Sequence, residues 1–252
     1  MVAERGGEAR SGIRGAIAEL ASRGLLVYLA LFAIEIGLFF VISSLPFFSG
    51  EKALYTGQAN QLNSTFANQS FVSTFGGIFV NNYRIALLEM VPGLGVILFA
   101  ASLYATARVL EAIADNESAS PFVVLVVLLL FFPHSYIELP AYAVATGAGL
   151  LLVYSFFRWL FATGPRSPVR LGDALWLLAL NLVLVTVMLL VAALFESVEL
   201  ELGGWFLVTW VPFAVLVVLT LKLKRRADRM RKENGVEPSA EEKAGDGSRL
   251  AV

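Results

Sequence analysis

Residues 122–140 read FVVLVVLLLFFPHSYIELP, and this stretch decides how the chain is interpreted. Its first eleven residues are apolar and lead into an octapeptide, Pro133–Pro140, which carries the single histidine of the chain, His134, and a carboxylate four residues later, Glu138. The segment 141–157 that follows has no charged residue. Because ionisable side chains are costly among such apolar residues, the octapeptide is by default a candidate functional site.

The composition indicates an integral membrane protein. Of the 252 residues, 58% are apolar and only 15% are charged. A soluble domain of this length cannot bury so much apolar surface, and the apolar residues fall in runs of about 20, the length that a helix needs to cross hydrocarbon. The formal net charge is −1, and the sequence has no basic face in which aromatic residues are interspersed. No nucleic acid is therefore expected as a partner. With no cysteine, the chain has neither disulfides nor thiolate metal sites.

Changes in composition divide the chain into three regions. Residues 1–24 are charged and carry a weak amphipathic spacing, which predicts a cytoplasmic segment at the membrane interface. Residues 25–223 form the predicted transmembrane helical domain, with a polar outer loop at about 48–84. Residues 224–252 begin as a polybasic tail and then turn to a composition typical of disorder.

The predicted fold is all-α: a polytopic transmembrane helix bundle of about six spans. The apolar stretch 121–163 is broken at Pro133–Pro140, and it is interpreted either as two short helices joined by a break or as a re-entrant element followed by a full span. The remaining spans are expected at about Leu25–Leu45, Ile85–Ile113, Leu171–Leu194 and Trp205–Leu223.

The distribution of Lys and Arg predicts the orientation. Basic residues lie before the first span, before the fifth and in the tail, whereas the connection 195–204 carries acids. The positive-inside rule therefore places both termini in the cytoplasm of a multi-pass protein of the cell membrane, whose first partner is the lipid bilayer. Asn63 and Asn68 begin N-x-S/T triplets in the predicted outer loop, and are glycosylation sites if the cell has the machinery.

Several polar residues are expected to be functional. Glu35 lies at the centre of the first span, where an ionised carboxylate costs about 2.5–3.5 kcal/mol on the insertion scale. It is either a neutral, hydrogen-bonded acid that faces another helix or part of an ion or proton path. A second group is expected to converge on the outer half of the bundle, either as a satisfied network that fixes the broken helix or as a site. Its members are Asn81, Asn82, Arg84, Glu89, His134 and Glu138.

No catalytic, metal or cofactor site is predicted. His134 and Glu138 supply two ligands, whereas zinc normally takes three or four from the protein, and no second histidine exists. An intramembrane hydrolase that uses this pair around a water is a remaining alternative, but no nucleophile motif such as G-x-S-x-G accompanies it. The protein is therefore expected not to be an enzyme.

Small residues at every fourth position predict close helix packing. Ala141, Ala145 and Gly149 form such a stripe, and close contact between helices in lipid needs small side chains. The partner helix belongs either to the same chain or to another copy or membrane protein. Pro92 and Gly93 predict a kink in the second span.

Three segments resemble a known family. Residues 78–88, IFVNNYRIALL, are similar to the IF-x-N-N-x-R-V-A-L-L segment of the stage II sporulation protein M family. Residues 133–150, which hold PHSYIELPA and ATGAGL, resemble that family's PHGIFELPA and AGAAGL segments, with Ser135 in place of the usual glycine. Leu194-Phe195-Glu196 is similar to the acidic end of its late apolar span. The resemblance covers about residues 70–200 and carries over Asn81, Asn82, Arg84, His134, Glu138 and Glu196.

The resemblance implies a multi-spanning membrane protein without established catalysis. In spore-forming bacteria the family member scaffolds a peptidoglycan-degrading complex, but nothing in this sequence indicates a sporulation role. The favoured function is a membrane scaffold that recruits other membrane proteins or self-associates. The alternative is a permease or channel subunit, since broken helices often line substrate sites and Glu35 lies within a span. An ATP-driven version needs a separate ATPase, because no nucleotide-binding motif is present.

Overall fold

The computed structural model describes residues 24–66, 69–161 and 171–233, and all regular structure in these ranges is helical. The elements in chain order are α1 (Gly24–Ile42), α2 (Glu51–Phe66), α3 (Phe71–Glu89), α4 (Gly95–Asn116), α5 (Pro121–Phe131), α6 (Ser135–Leu160), α7 (Leu171–Leu202), a 3-10 helix (Gly203–Thr209) and α8 (Trp210–Glu233). The chain divides into two compact units between Leu207 and Val208. Residues 1–23 of the predicted interfacial segment, Asn68 and residues 234–252 of the tail lie outside the described ranges.

Four helical stretches among the described residues are long and apolar enough to cross a membrane: Gly24–Ile42, Gly95–Asn116, Ser135–Leu160 and Leu171–Met230. Their mean hydropathy lies between 1.5 and 2.8. Much of this apolar surface points outward, since only 22% of the most apolar window of α1 is buried. An outward apolar surface of this extent belongs against lipid. The prediction of an all-α helical membrane bundle is therefore confirmed.

The number of such stretches differs from the predicted count of about six spans. The segment 85–113 is not one helix, because a turn separates α3 from α4. Helix α5 has 11 residues, and at 1.5 Å per residue its length of about 16 Å is half of the hydrocarbon thickness. Helices α7 and α8 join through the 3-10 helix into one stretch of 60 residues, which is long enough for more than one crossing.

The turn between α3 and α4 is tight and depends on glycine. Gly93 has φ +82°, a left-handed conformation that favours glycine. A Cβ added at Gly95 would lie 1.8 Å from the carbonyl oxygen of Glu89, so no larger residue fits there without a shift of the backbone. The predicted kink at Pro92 and Gly93 is therefore a complete interruption of the helix. It leaves Glu89 as the last residue of α3.

The interruption between α5 and α6 is shorter than the octapeptide Pro133–Pro140. Phe132 is extended, with φ −105° and ψ 107°, because a residue that precedes proline is pushed away from helical geometry. The chain resumes as a helix at Ser135, and Pro140 lies inside α6. The break therefore covers Phe132 to His134. It places His134 at the N-cap of α6 and Glu138 in its first turn.

Helix α6 lies at the centre of the bundle. It packs against α3, α4, α5 and α7, and Ala143 joins Leu31 of α1 in a buried apolar cluster. The small residues Ala141, Ala145 and Gly149 are all buried. A Cβ added at Gly149 would lie 2.7 Å from the carbonyl oxygen of Met90, so glycine sets the distance between α6 and the end of α3. The neighbour of the stripe is thus in the same chain.

The polar segment 48–84, predicted as an outer loop, is largely helical, since it contains α2 and most of α3. Its helices begin at local caps. The backbone N–H of Phe48 donates to Glu51 Oε2 at 2.8 Å, and the side chain of Ser70 accepts from the N–H of Ser73 at 3.4 Å. Such caps satisfy donors at the start of a helix, which compensates for the weak apolar pattern. Helix α2 packs against α4.

Candidate functional site

Five glutamates and the single histidine converge inside the bundle and form what we call the acidic cluster. Glu35, Glu89 and Glu199 are 2%, 1% and 4% exposed, and His134 is buried as well. Glu138 and Glu196 are partly buried. Four helices and the α5–α6 break supply the members, which are Glu35 (α1), Glu89 (α3), His134 (the break), Glu138 (α6), and Glu196 and Glu199 (α7).

His134 connects the start of α6 with the end of α7. Its Nδ1 is hydrogen-bonded to Oε2 of Glu199, in a contact between two buried side chains. One ring nitrogen of His134 and one carboxylate oxygen each of Glu138 and Glu196 lie within 4.8 Å of one another. Three side chains that commonly bind cations therefore point at one small volume.

Glu138 is held by two neutral donors. The side-chain amide of Asn82 in α3 donates to its Oε1 at 2.9 Å, and the Tyr142 hydroxyl donates to the same oxygen at 2.9 Å. Asn81 donates in turn to Oδ1 of Asn82 at 3.1 Å. Because Glu138 lies in the first turn of α6, the positive end of the helix dipole also favours a negative charge there.

Glu35 and Glu89 extend the acidic cluster towards α1 and α4. Glu89 accepts a hydrogen bond from the Ser102 hydroxyl at 2.5 Å. Glu35 is close enough to Glu89 and Glu138 for their charges to interact. Its Oε2 is buried and has no hydrogen-bond partner among the residues that the structure describes. A buried acceptor in this state is expensive unless a proton or a cation satisfies it.

The acidic cluster has more acids than bases. Against its five carboxyl groups stands one imidazole. Among the side chains whose burial the structure describes, Arg108 is the one buried lysine or arginine, and its partners lie outside the acidic cluster. Several like charges cannot be held together in an apolar bundle without neutralisation. The acidic cluster is therefore suited to bind protons or a metal cation.

Arg108 in α4 forms a second buried polar site, which we call the arginine site. Its side chain is fully buried. Its NH1 donates to Glu111 Oε2 at 2.6 Å and to the carbonyl oxygen of Leu45 at 2.7 Å. The guanidinium lies over the rings of Phe47 and Tyr104, at 5.2 and 5.1 Å from their centres. The arginine site joins α4 to the segment that follows α1.

The arginine site also attaches α2. The Tyr104 hydroxyl donates to Oε1 of Glu51, and the same oxygen lies 3.9 Å from Nε of Arg108. The hydrogen bond from Tyr104, with smaller contributions from the Phe48 N–H and Arg108, lowers the pKa of Glu51. Because a lowered pKa favours the ionised form in the folded state, this contribution to stability is present at neutral pH and is lost as the pH falls below the ordinary range for a glutamate.

The structure brings some of the sequence-predicted residues together and leaves others apart. Asn82, Glu89, His134, Glu138 and Glu196 converge, and Glu35 joins them from α1. Arg84 is exposed. Asn81 is exposed as well and reaches Glu138 only through Asn82.

Sequence reasoning missed two further residues. Glu199, together with Glu196, was assigned to an acidic outer connection at 195–204, but α7 continues to Leu202 and places both on its buried side. Arg108 was passed over within an apolar span. A signal for it was available, because Glu111 follows three residues later, the spacing of an ion pair on one helix face.

The structure also changes the ligand count for a metal. The expectation of no metal rested on two ligands, His134 and Glu138. The fold adds Glu196 as a third within 4.8 Å and places Glu199 behind the imidazole. The residues present thus reach the number that a zinc site with an open coordination position uses.

No curated protein and no solved structure matches the chain significantly. The sequence does match the family described as Stage II sporulation protein M, over residues 26–198. The match extends further towards the N-terminus than the motifs at 78–88 and 133–150, from α1 to the last turns of α7, and it includes every member of the acidic cluster except Glu199. The chain therefore belongs to the stage II sporulation protein M family.

Proposed function

We propose that this protein is a non-enzymatic permease or channel subunit that carries a cation, a proton included, through its helical bundle. The observation that carries the proposal is the acidic cluster: five carboxyl groups and one imidazole inside a bundle of membrane-length apolar helices. Ionisable residues in such surroundings commonly mark ion pathways and proton relays.

The chemistry of the acidic cluster favours a mobile occupant over a permanent one. The neighbours that donate to its carboxylates are neutral, namely Asn82, Tyr142 and Ser102. Neutral donors orient an acid without cancelling its charge, so the balance must come from protons or a metal cation. Protons and metal cations can leave the acidic cluster for the aqueous phase and be replaced, whereas the positive charge of a buried arginine is fixed in the chain.

The architecture supports the same function. The members of the acidic cluster come from α1, α3, α6 and α7 and from the α5–α6 break, so a change in occupancy acts on several helices at once. The break at Phe132–His134 supplies His134 and the N-terminal end of α6. Interrupted helices whose ends face an ion or substrate are a recurring device of secondary transporters.

The proposal includes an orientation and a location. Both termini lie in the cytoplasm of a multi-pass protein of the cell membrane, because the basic residues flank the termini and the segment before α7. The basic residues of α8 then contact anionic lipid on the cytoplasmic side.

Flux through the purified full chain tests the proposal. The protein is reconstituted into liposomes that contain indicator dyes for protons, Na⁺ and divalent cations, and uptake is driven by an imposed potential. We expect the uptake rate for at least one cation to exceed that of empty liposomes by about tenfold or more. Glu35→Gln and Glu138→Gln should remove most of this difference. A tenfold loss of rate corresponds to a loss of about 1.4 kcal/mol in binding of the cation at the transition state.

The matched control is Glu201→Gln, since Glu201 lies on the exposed side of α7, near Glu196 and Glu199. It is expected to retain the flux of the wild type. The proposal fails if wild-type liposomes take up no cation faster than empty ones. It fails equally if Glu35→Gln, correctly folded by gel filtration, transports as well as Glu201→Gln.

A membrane scaffold is the second candidate, and helix α8 favours it. Most of its apolar side chains are exposed, including Val211 at 66% and Val215 at 53%, and basic residues follow them. A helix of this kind can dock on another membrane protein or on a second copy. If purification in mild detergent at native expression returns this chain alone and as a monomer, the scaffold role loses its support.

A further inference from the structure

Part of the acidic cluster has the composition of a metal site. His134, Glu138 and Glu196 offer one nitrogen and two oxygen ligands, with the ligand atoms within 4.8 Å of one another. Ligand atoms bound tetrahedrally to one Zn²⁺ at about 2.0–2.2 Å lie about 3.3–3.6 Å apart. A contraction of about 1.2–1.5 Å at the widest pair therefore brings all three within bonding distance.

The hydrogen bond of His134 to Glu199 engages one ring nitrogen and leaves the other for ligation. Because Nδ1 is hydrogen-bonded to the Glu199 carboxylate, the imidazole carries its proton on that side. Nε2 then has its lone pair available for a cation. Histidines that bind metals commonly donate their second N–H to a carboxylate in this way, which fixes the ring and makes the ligating nitrogen more basic.

A separate observation also points to a bound cation. Glu35 belongs to α1 and is not one of the three proposed ligands. Its side chain is buried, with 2% of its surface exposed. Its Oε2 has no hydrogen-bond partner among the described residues, and Glu138 is close enough for its charge to act on Glu35. A divalent cation beside Glu138 provides the positive charge that this acceptor lacks.

We propose that His134, Glu138 and Glu196 bind one divalent transition-metal ion, with Glu199 as the positioning residue for His134. The mixed nitrogen and oxygen ligands suit Zn²⁺ and Mn²⁺, and the order of stabilities among such ions favours Zn²⁺. Thiolate-dependent metals are not expected, since the chain has no cysteine. The inference rests on the proposed function and deepens it, because it names a divalent transition metal as the cation.

Binding is measured on the full chain in detergent, purified through a tag without histidine and stripped with a chelator. Titration calorimetry with Zn²⁺ and metal analysis by mass spectrometry are expected to give one ion per chain. His134→Ala and Glu196→Gln should weaken binding by more than about 100-fold, and Glu199→Gln by about 10–100-fold. Glu201→Gln should bind as the wild type does.

The single histidine allows a readout that needs no variant at the site. In protein labelled with ¹⁵N only at histidine, the ring gives one pair of nitrogen signals. Zn²⁺ is expected to shift Nε2 strongly and to leave Nδ1 protonated. In Glu199→Gln the two tautomers should mix before metal is added, which a purely structural role of Glu199 does not cause.

The outcomes separate this inference from the proposed function. An unchanged histidine spectrum with Zn²⁺ and with Mn²⁺, or calorimetry that is equal in wild type and Glu196→Gln, overturns the metal site. Proton flux that depends on Glu35 in the absence of metal then leaves the proposed function standing. Stoichiometric metal binding without any flux has the opposite meaning: the site holds a metal and the protein is not a permease.

Discussion

The arginine site and the acidic cluster are both buried and polar, but they differ in charge balance. Arg108 has Glu111 and Glu51 as counter-ions, together with backbone carbonyls and two aromatic rings. The acidic cluster has five carboxyl groups, one imidazole and an oxygen of Glu35 without a partner. The arginine site has its counter-charges within the chain, although Nε of Arg108 makes no hydrogen bond among the described residues, and it supports the fold. An unbalanced one needs something from outside, which is why we place function there.

Arg108 is where the structural role of the arginine site is tested most directly. Arg108→Ala leaves Glu111 buried without its cation and frees the carbonyl of Leu45, and we expect a loss of about 3–5 kcal/mol in the free energy of unfolding. The thermal midpoint of the purified protein in detergent gives the measurement. Arg108→Lys is the matched control, since it keeps the charge but not the forked donors, and a smaller loss is expected.

If Arg108→Ala and Arg108→Lys melt as the wild type does, the arginine site does not hold the fold together. The contrast between a structural and a functional site then disappears. Cation flux in Arg108→Lys should stay close to that of the wild type, because none of the cluster carboxylates contacts Arg108.

A second, smaller effect is expected at Gly149, which sets how closely α6 approaches the end of α3. In Gly149→Ala the new Cβ would lie 2.7 Å from the carbonyl oxygen of Met90, next to Glu89. Backbone must shift, so we expect a loss of about 1–3 kcal/mol together with altered cation binding. The control is Gly77→Ala in α3, where an added Cβ meets nothing within 4 Å and should gain about 0.5–1 kcal/mol.

Equal thermal midpoints for Gly149→Ala and Gly77→Ala would contradict the close approach of α6 to α3. A lower midpoint of Gly149→Ala with unchanged metal affinity would separate stability from binding. The contact then supports the bundle without positioning the acidic cluster.

What could be predicted from the sequence depended on how local the signal was. The apolar runs required a helical membrane bundle, and segments 78–88 and 133–150 indicated the family, which is confirmed. His134 and Glu138 stood out because ionisable residues are rare beside such runs. Pro92 and Gly93 predict a kink at this position. They do not predict a complete interruption of the helix, because that depends on the close approach of Gly95 to the carbonyl of Glu89.

The place of the remaining site residues depended on tertiary structure. Glu196 is a candidate from the family resemblance, but both it and Glu199 follow an apolar span, where acids usually mark its end. Helix α7 continues past them because it packs along both α6 and α3, and that packing turns their side chains inward. The pairing of Arg108 with the carbonyl of Leu45 joins residues 63 positions apart, which no local pattern encodes.

A change in stability of the opposite sign is expected at Glu35, in the acidic cluster. Glu35→Gln keeps the shape of the side chain, removes one like charge and adds an N–H donor beside Glu89 and Glu138. We expect the free energy of unfolding to rise by about 0.5–2 kcal/mol while flux is lost, the exchange of stability for activity that functional sites often show.

The measurement is the thermal midpoint of Glu35→Gln beside that of Glu201→Gln, each with and without Zn²⁺. Added Zn²⁺ should raise the midpoint of the wild type more than that of Glu35→Gln, because only the wild type has a carboxyl group at position 35 that can give up a proton and interact with the ion. A clear loss of stability in metal-free Glu35→Gln would mean that the carboxyl group of Glu35 has its counter-charge within the chain. The acidic cluster would then be as complete as the arginine site, and its claim to a function would rest on His134 and α7 alone.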